Sequence, residues 1–513
     1  MLFRSGLWIN FTDFSPNTAP LKISREKAVE IAKNEIAAYN INLNDNWKIQ
    51  TLPFYDNSKS DRFVLQTSGK EVYQNLYNEF LKPPLWKVKF SKFEVEVAQR
   101  EKYEFGIDGQ GSIFYFQHKI PENQSGAELS EAEARAMALN QLKEFYQIES
   151  GSIKEISLTP SQKPNRKDWE FTFEVKEDEV LEEGNLRYRV YLAGKQVMAT
   201  EKYVHITEDW SRKTNSLKVP ADTVKSLLNY GRIIFYLAGI VAAIIFMANN
   251  YFKKKEFMII FAILFVLQLV KFLLKWHNYT FYFEISKPWS DMVSMLFFSK
   301  FIQIIFISLA FSTIIQLVNS WFNRDKQDAK IYKSAIGLGL LALGLLALTH
   351  FPEYQVYKPS VEVYGALIPI LGSIFNHVFK FIGYVIHALL VFGLVRKITA
   401  DWHEKKFIGF ILIFLYSLIL FGSNYLYLMK SNFILAVMIN SLIVALVAAL
   451  YVKKIVIHSI FSLPIIIAVL YSGHLLANGL MGTYDNVLLN NIVAVIFILL
   501  MGWNWHKIFR VRS

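Results

Sequence analysis

Six polar side chains in one apolar stretch carry the clearest chemical signal in the chain: Ser373, Asn376, His377, Lys380, Tyr384 and His387 recur at steps of three, four and seven between Ala366 and Val395. In a helix those steps place all of them on one face, leaving Ile, Phe, Val and Leu on the others. An ammonium group at mid-bilayer costs about 2.5–3.5 kcal/mol on insertion scales, so Lys380 should face a cavity or a partner. In one reading the stripe lines a cavity for a polar or anionic ligand, with Lys380 supplying charge and the histidines supplying hydrogen bonds near their titration range. In the other it is a buried ladder of interhelical hydrogen bonds, with Lys380 reaching toward an interface or a carbonyl. Lys300 and Gln303 on an earlier apolar stretch are candidate neighbours, as are Asn424 and Asn440 on later ones.

No Asp or Glu falls in the apolar cores, which argues against carboxylate proton relays and against a glutamate-based hydrolase. An anion such as a lipid phosphate is then the natural match for Lys380. The chain has no Cys, so disulfides, thiolate metal sites and Cys nucleophiles are excluded. No phosphate-binding glycine loop, nucleophile elbow or zinc signature is present, and no cofactor or metal is expected. His118 and His205 read as solvated or core-edge histidines.

The elements that must position the stripe are transmembrane helices. A hydrocarbon core of about 30 Å needs roughly 20 apolar residues, and such runs recur after residue 225. Their cores lie near 233–247, 257–274, 292–317, 335–348, 366–395, 407–429, 433–452, 455–476 and 487–503, giving an all-α polytopic bundle (229–513) of about nine helices. Basic clusters at Lys253–Lys255, Arg324–Lys333, Arg396–Lys406, Lys453–Lys454 and Lys507–Arg512 occupy alternate connections. This is the mark of cytoplasmic loops, so the net charge of +12 reads as membrane orientation and not as nucleic-acid binding. The C-terminus is expected in the cytoplasm and the residues before the first helix outside it. Residues 1–22 hold no apolar run long enough to export a domain, so the native start is expected upstream, with an anchor helix.

Residues 23–212 read as a soluble α+β domain, duplicated as 23–122 and 123–212 and joined to the bundle by a linker at 213–228. Helix starts are expected at Ser24 and at Ser130, where Glu133 completes a capping-box spacing. Strands are expected around Trp86–Phe90, Tyr103–Ile107, Ile113–Phe116, Trp169–Phe173, Tyr188–Leu192 and from Val197, with turns at Asp108–Gly111 and Gly194.

The stretches Trp86–Phe90, Gly111–Pro121, Gly126–Arg135 and Tyr203–Trp210 make this part resemble the PepSY-like domain found ahead of membrane-embedded CPBP (CAAX-type) proteases in some bacteria. That resemblance implies a bacterial cytoplasmic membrane and an intramembrane peptidase, possessing Glu-Glu-x-x-x-Arg, Phe-x-x-x-His and His-x-x-x-Asn motifs. The chain has no Glu-Glu pair after residue 183, and only the last spacing survives, as His474 to Asn478. One expectation is therefore a non-catalytic relative whose outer domain recognises or regulates and whose bundle binds a polar or anionic ligand, a peptide, a protein or a membrane lipid. A second is an active hydrolase, with zinc, built on His377, His387, His474 and Asn478. A third is a transporter or lipid-handling protein.

Overall fold

The computed structural model describes residues 19–509 apart from 39–40, 42, 45, 56–58, 94–100, 177–179, 249–252, 322–328, 349–362, 426–432 and 454–458. An antiparallel sheet region comes first and a mostly helical region follows. In chain order the first region runs α1 (Arg25–Ala38), β1 (Trp47–Phe54), α2 (Lys59–Thr67), α3 (Gly69–Leu76), β2 (Leu85–Lys92), β3 (Lys102–Asp108), β4 (Ile113–Lys119), α4 (Glu131–Tyr146), β5 (Ile153–Lys163), β6 (Arg166–Val175), β7 (Asn185–Ala193) and β8 (Gln196–His205). Ser24 accepts from the Lys27 amide at the start of α1, and Ser130 with Glu133 forms the full capping box of α4. Asp108 accepts from the Gln110 and Ser112 amides and closes the β3–β4 turn.

All eight strands form one antiparallel sheet in the order β1-β2-β3-β4-β8-β7-β6-β5. Each half is a four-stranded meander preceded by a helix, and the halves meet where the two last strands, β4 and β8, pair. Ala28, Ala32 and Ile36 of α1 pack on Trp86, Phe90 and Phe105. Ala134, Ala138 and Leu142 of α4 pack on Phe171 and Val190, joined by Phe63 of α2 and Tyr73 of α3. Small residues on α1 and α4 let the helices sit close to the aromatic face of the sheet.

The second region runs α5 (Glu208–Ala248), α6 (Lys254–Leu274), α7 (Trp276–Thr280), α8 (Trp289–Trp321), α9 (Ala329–Leu348), α10 (Pro369–Ile398), α11 (Lys406–Tyr425), α12 (Phe433–Tyr451), α13 (Leu463–Leu480) and α14 (Val487–Phe509). Residues 213–228, expected as a linker, continue α5 as helix. Among the described residues, five helical segments are long and apolar enough to cross a membrane: 254–274, 289–321, 369–398, 460–480 and 487–505. The apolar stretches 332–344, 406–419 and 441–451 are shorter. Of the expected runs, the beginning of 455–476 and the end of 407–429 lie outside the described residues. The central helix is α10, whose Phe381, Ile382, Val385 and Ile386 are buried against its neighbours. Without water to expel, such contacts hold the bundle by van der Waals packing.

The sheet sits on one end of this bundle. Gln50 of β1 donates to the carbonyls of Thr280, Phe281 and Phe283, at and just beyond the end of α7, while its own Oε1 accepts from Ser91 at 2.7 Å. Lys89 donates to the Phe281 carbonyl and lies 4.0 Å from the centre of the Phe281 ring. Tyr364 lies tilted against Trp86 and donates to the Ile23 carbonyl, and Leu21 pairs with Thr483 and Tyr484 in the α13–α14 connection. A Cβ on Gly365 would meet Pro53 at 2.7 Å, so only glycine permits this approach of the α10 leader to β1. At the opposite end, Gln316 donates to the Lys253 carbonyl, Asn319 to the Phe509 carbonyl, and Lys397 lies over Trp321.

Candidate functional site

The helical stripe read from the sequence exists on α10 and divides into buried and exposed parts. Ser373 is buried and donates to the Asn490 carbonyl at 3.2 Å, tying α10 to the first turn of α14. Asn376 is 1% exposed, and its Oδ1 has no hydrogen-bond partner among the described residues. His377, also buried, has Nδ1 2.8 Å from the hydroxyl of Tyr471 on α13. Lys380 and Tyr384, one and two turns further along, are exposed. His387 is buried and meets the ring of Phe311 on α8 edge-on at 6.3 Å.

Tyr471 is the hub of the arrangement. Its ring lies 5.3 Å from Tyr384, 6.0 Å from His377 and 6.4 Å from His474, so the two histidines approach it from different helices. Asn478 Nδ2 lies 3.1 Å from His474 Nε2. His474 is exposed like Lys380 and Tyr384. The three side chains give the buried His377–Tyr471 pair an open margin.

The strongest charged neighbours of His377 include the ammonium groups of Lys380, Lys275 and Lys271, with the His474 imidazole among them. Lys271 and Lys275 come from the last turn of α6 and the corner leading into α7, and Lys275 is buried. Beyond Glu256 and Asp291 in first turns, the apolar spans contain no carboxylate. Hydroxyl, imidazole and ammonium groups thus gather here, and the described spans add no carboxylate beyond those two first turns. Such a set can bind a phosphate, carboxylate or other electron-rich group.

Not every sequence candidate joins the cluster. Lys300 donates to Gln303 and lies over the Tyr279 ring, so the described contacts of this pair are with each other and with Tyr279. The side chains of Asn424 and Asn440 lie outside the described residues. His377 and His474 share Tyr471, whereas His387 packs toward α8, and among the described residues no group of three His, Asp or Glu side chains could hold a metal. Three members of the site were missed in sequence: Tyr471, Lys271 and Lys275. A signal for the first was present, because Tyr471, His474 and Asn478 repeat the three-four spacing of the α10 stripe.

In the sheet region His118 is not a lone histidine. Its Nε2 lies 2.5 Å from Glu101 Oε1, and its ring stacks on Tyr103 at 3.9 Å. Burial pushes the Glu101 carboxyl up, but hydrogen bonds from His118 and Tyr103 outweigh it and hold the group below the ordinary carboxylate range. No family model matches the chain, and neither does any curated protein or solved structure.

Proposed function

We propose that the chain is a multi-pass membrane protein that binds an anionic group at the Tyr471 cluster without hydrolysing it. The observation that carries this reading is the gathering of the Lys380, Lys275 and Lys271 ammonium groups around His377, beside the Tyr471 hydroxyl. In this reading all nine apolar runs cross the membrane and the basic connections face the cytoplasm, since Lys253 and Lys397 lie at the end opposite the sheet. The sheet region then lies outside and regulates access to the bundle.

The pairing of His474 with Asn478, and of His377 with the same tyrosine, suits a non-catalytic relative of PepSY-bearing CPBP proteases. The resembled proteases use paired glutamates, and among the described residues the spans bring no Asp or Glu to the cluster.

The test is thermal stability of the purified full chain in neutral detergent, with phosphatidylglycerol or inorganic phosphate added. A ligand held at 100 times its Kd stabilises the folded state by about 2.7 kcal/mol, so the Tm rises. The expected result is a rise with one of these probes that Lys380→Ala lacks. No rise, or an equal rise in Lys380→Ala, would refute the reading.

A further inference from the structure

On the side of α13 away from Tyr471 lies a second feature, a cavity of about 490 Å³ between α9, α13 and α14. Leu340 and Leu343, Ser472 and Leu476, and Val495 and Leu499 line it from the three helices in turn. At 1.5 Å per residue, Leu340, Ser472 and Val495 each stand roughly 12–17 Å along their helices, which is mid-depth in a hydrocarbon core of about 30 Å.

The gap is not slack packing. A Cβ on Gly473 would lie 2.3 Å from Leu343, and one on Gly339 would lie 3.0 Å from Val469. Glycines therefore bring α9 and α13 into contact beside the very residues that leave the cavity open. Its wall carries one hydroxyl, that of Ser472, which is buried and has no hydrogen-bond partner among the described residues. Elsewhere in the bundle Ser312 donates to Ser308, Thr399 to Val395 and Ser417 to Ile413, each four residues earlier, whereas the hydroxyls of Ser441 and Ser459, like that of Ser472, meet no partner among the described residues.

From this geometry we infer that the cavity is a binding site for a single acyl chain of a membrane lipid. An apolar cavity of this kind stays dry and takes apolar guests. Its volume falls in the range of ligand pockets. At mid-bilayer depth the species that reaches it is a hydrocarbon chain, not a headgroup or a soluble metabolite. Leu499 is 41% exposed and marks the side from which a chain slides in. This site is independent of the Tyr471 cluster and stands whether or not an anion binds there.

The test uses the full chain in nanodiscs of phosphatidylcholine carrying a diazirine at mid-chain, with photolabelled residues mapped by mass spectrometry. A neutral lipid keeps the result separate from anion binding. Labelling of Ser472, Leu476 and Val495 is expected well above that of Ile498, which is fully buried, and comparable to that of lipid-facing Leu489 and Leu500. Val495→Phe, filling the space from α14, and Ser472→Leu, filling it from α13, should each abolish labelling at Leu476 while Leu489 and Leu500 keep theirs. If Ile498 becomes labelled in one variant, that variant has unfolded and the other decides. Labelling of Ser472 no higher than of Ile498 in the wild type, or retained labelling of Leu476 in a folded variant, overturns the inference.

Discussion

His377 Nδ1 and the hydroxyl of Tyr471 lie 2.8 Å apart, joining α10 to α13 across 94 residues of sequence. Both side chains are buried, so the bond organises the centre of the cluster and also holds two helices in register. Tyr471→Phe keeps the ring contacts with Tyr384 and His474 and removes only the hydroxyl. Leaving the imidazole nitrogen buried without its partner should cost about 1–3 kcal/mol, read as a lower Tm of the purified protein. An unchanged Tm would show that the bond contributes nothing to the packing of α10 on α13.

Gln50 acts as a clamp between the sheet and the corner that leads out of α6, because one carboxamide serves three carbonyls around Phe281. Gln50→Ala removes the donor of the Phe283 carbonyl and the acceptor of the Ser91 hydroxyl, while Lys89 still serves Phe281 and the Phe283 amide still serves Thr280, at a cost of about 1–3 kcal/mol. Hydrogen exchange should quicken across α7 while the core of α10 keeps its protection. Equal exchange in wild type and variant would mean that the sheet is held by other contacts.

Glu101 provides a dependence on pH. Its carboxyl lies below its ordinary value of 4.5 in the folded chain, so ionisation favours folding. The contribution is fully present above pH 4.5 and is lost as the pH falls through the depressed folded value. The Tm of the wild type should therefore drop on acidification below that point more steeply than the Tm of Glu101→Gln. Parallel curves for the two proteins would remove Glu101 from the explanation.

Ser130 heads α4, where its side chain accepts from the Glu133 amide and Glu133 reaches back to its backbone. Ser130→Ala should destabilise the protein by about 0.5–2 kcal/mol, with Ser130→Asp restoring most of the loss. Denaturation of the two variants checks both directions at once.

Local physics made part of this fold legible. The capping box, the β3–β4 turn and the α10 stripe each follow from residues within a few positions of one another, and each is present. β1 escaped because its alternation is broken by Gln50, which is buried against α7 and so belongs to an interface no local pattern announces. β5 escaped for the opposite reason, since most of its residues are exposed and apolar periodicity never develops. Tyr471 is one aromatic among many in an apolar run and Lys271 and Lys275 sit at a helix end, so no local pattern singles them out. Their convergence depends on the order in which helices pack, and that order is set by long-range contacts.

The central claim is that the Tyr471 cluster holds an anionic group, and the most direct measurement is the lipid that the protein keeps. Wild type, Lys380→Ala and Lys287→Ala are released from nanodiscs of mixed phosphatidylcholine and phosphatidylglycerol, and retained lipid is counted by native mass spectrometry. Lys287 is exposed just before α8 and controls for charge in general. Retention of phosphatidylglycerol by wild type and Lys287→Ala, lost in Lys380→Ala, is the expected result. Equal retention by all three proteins would contradict it.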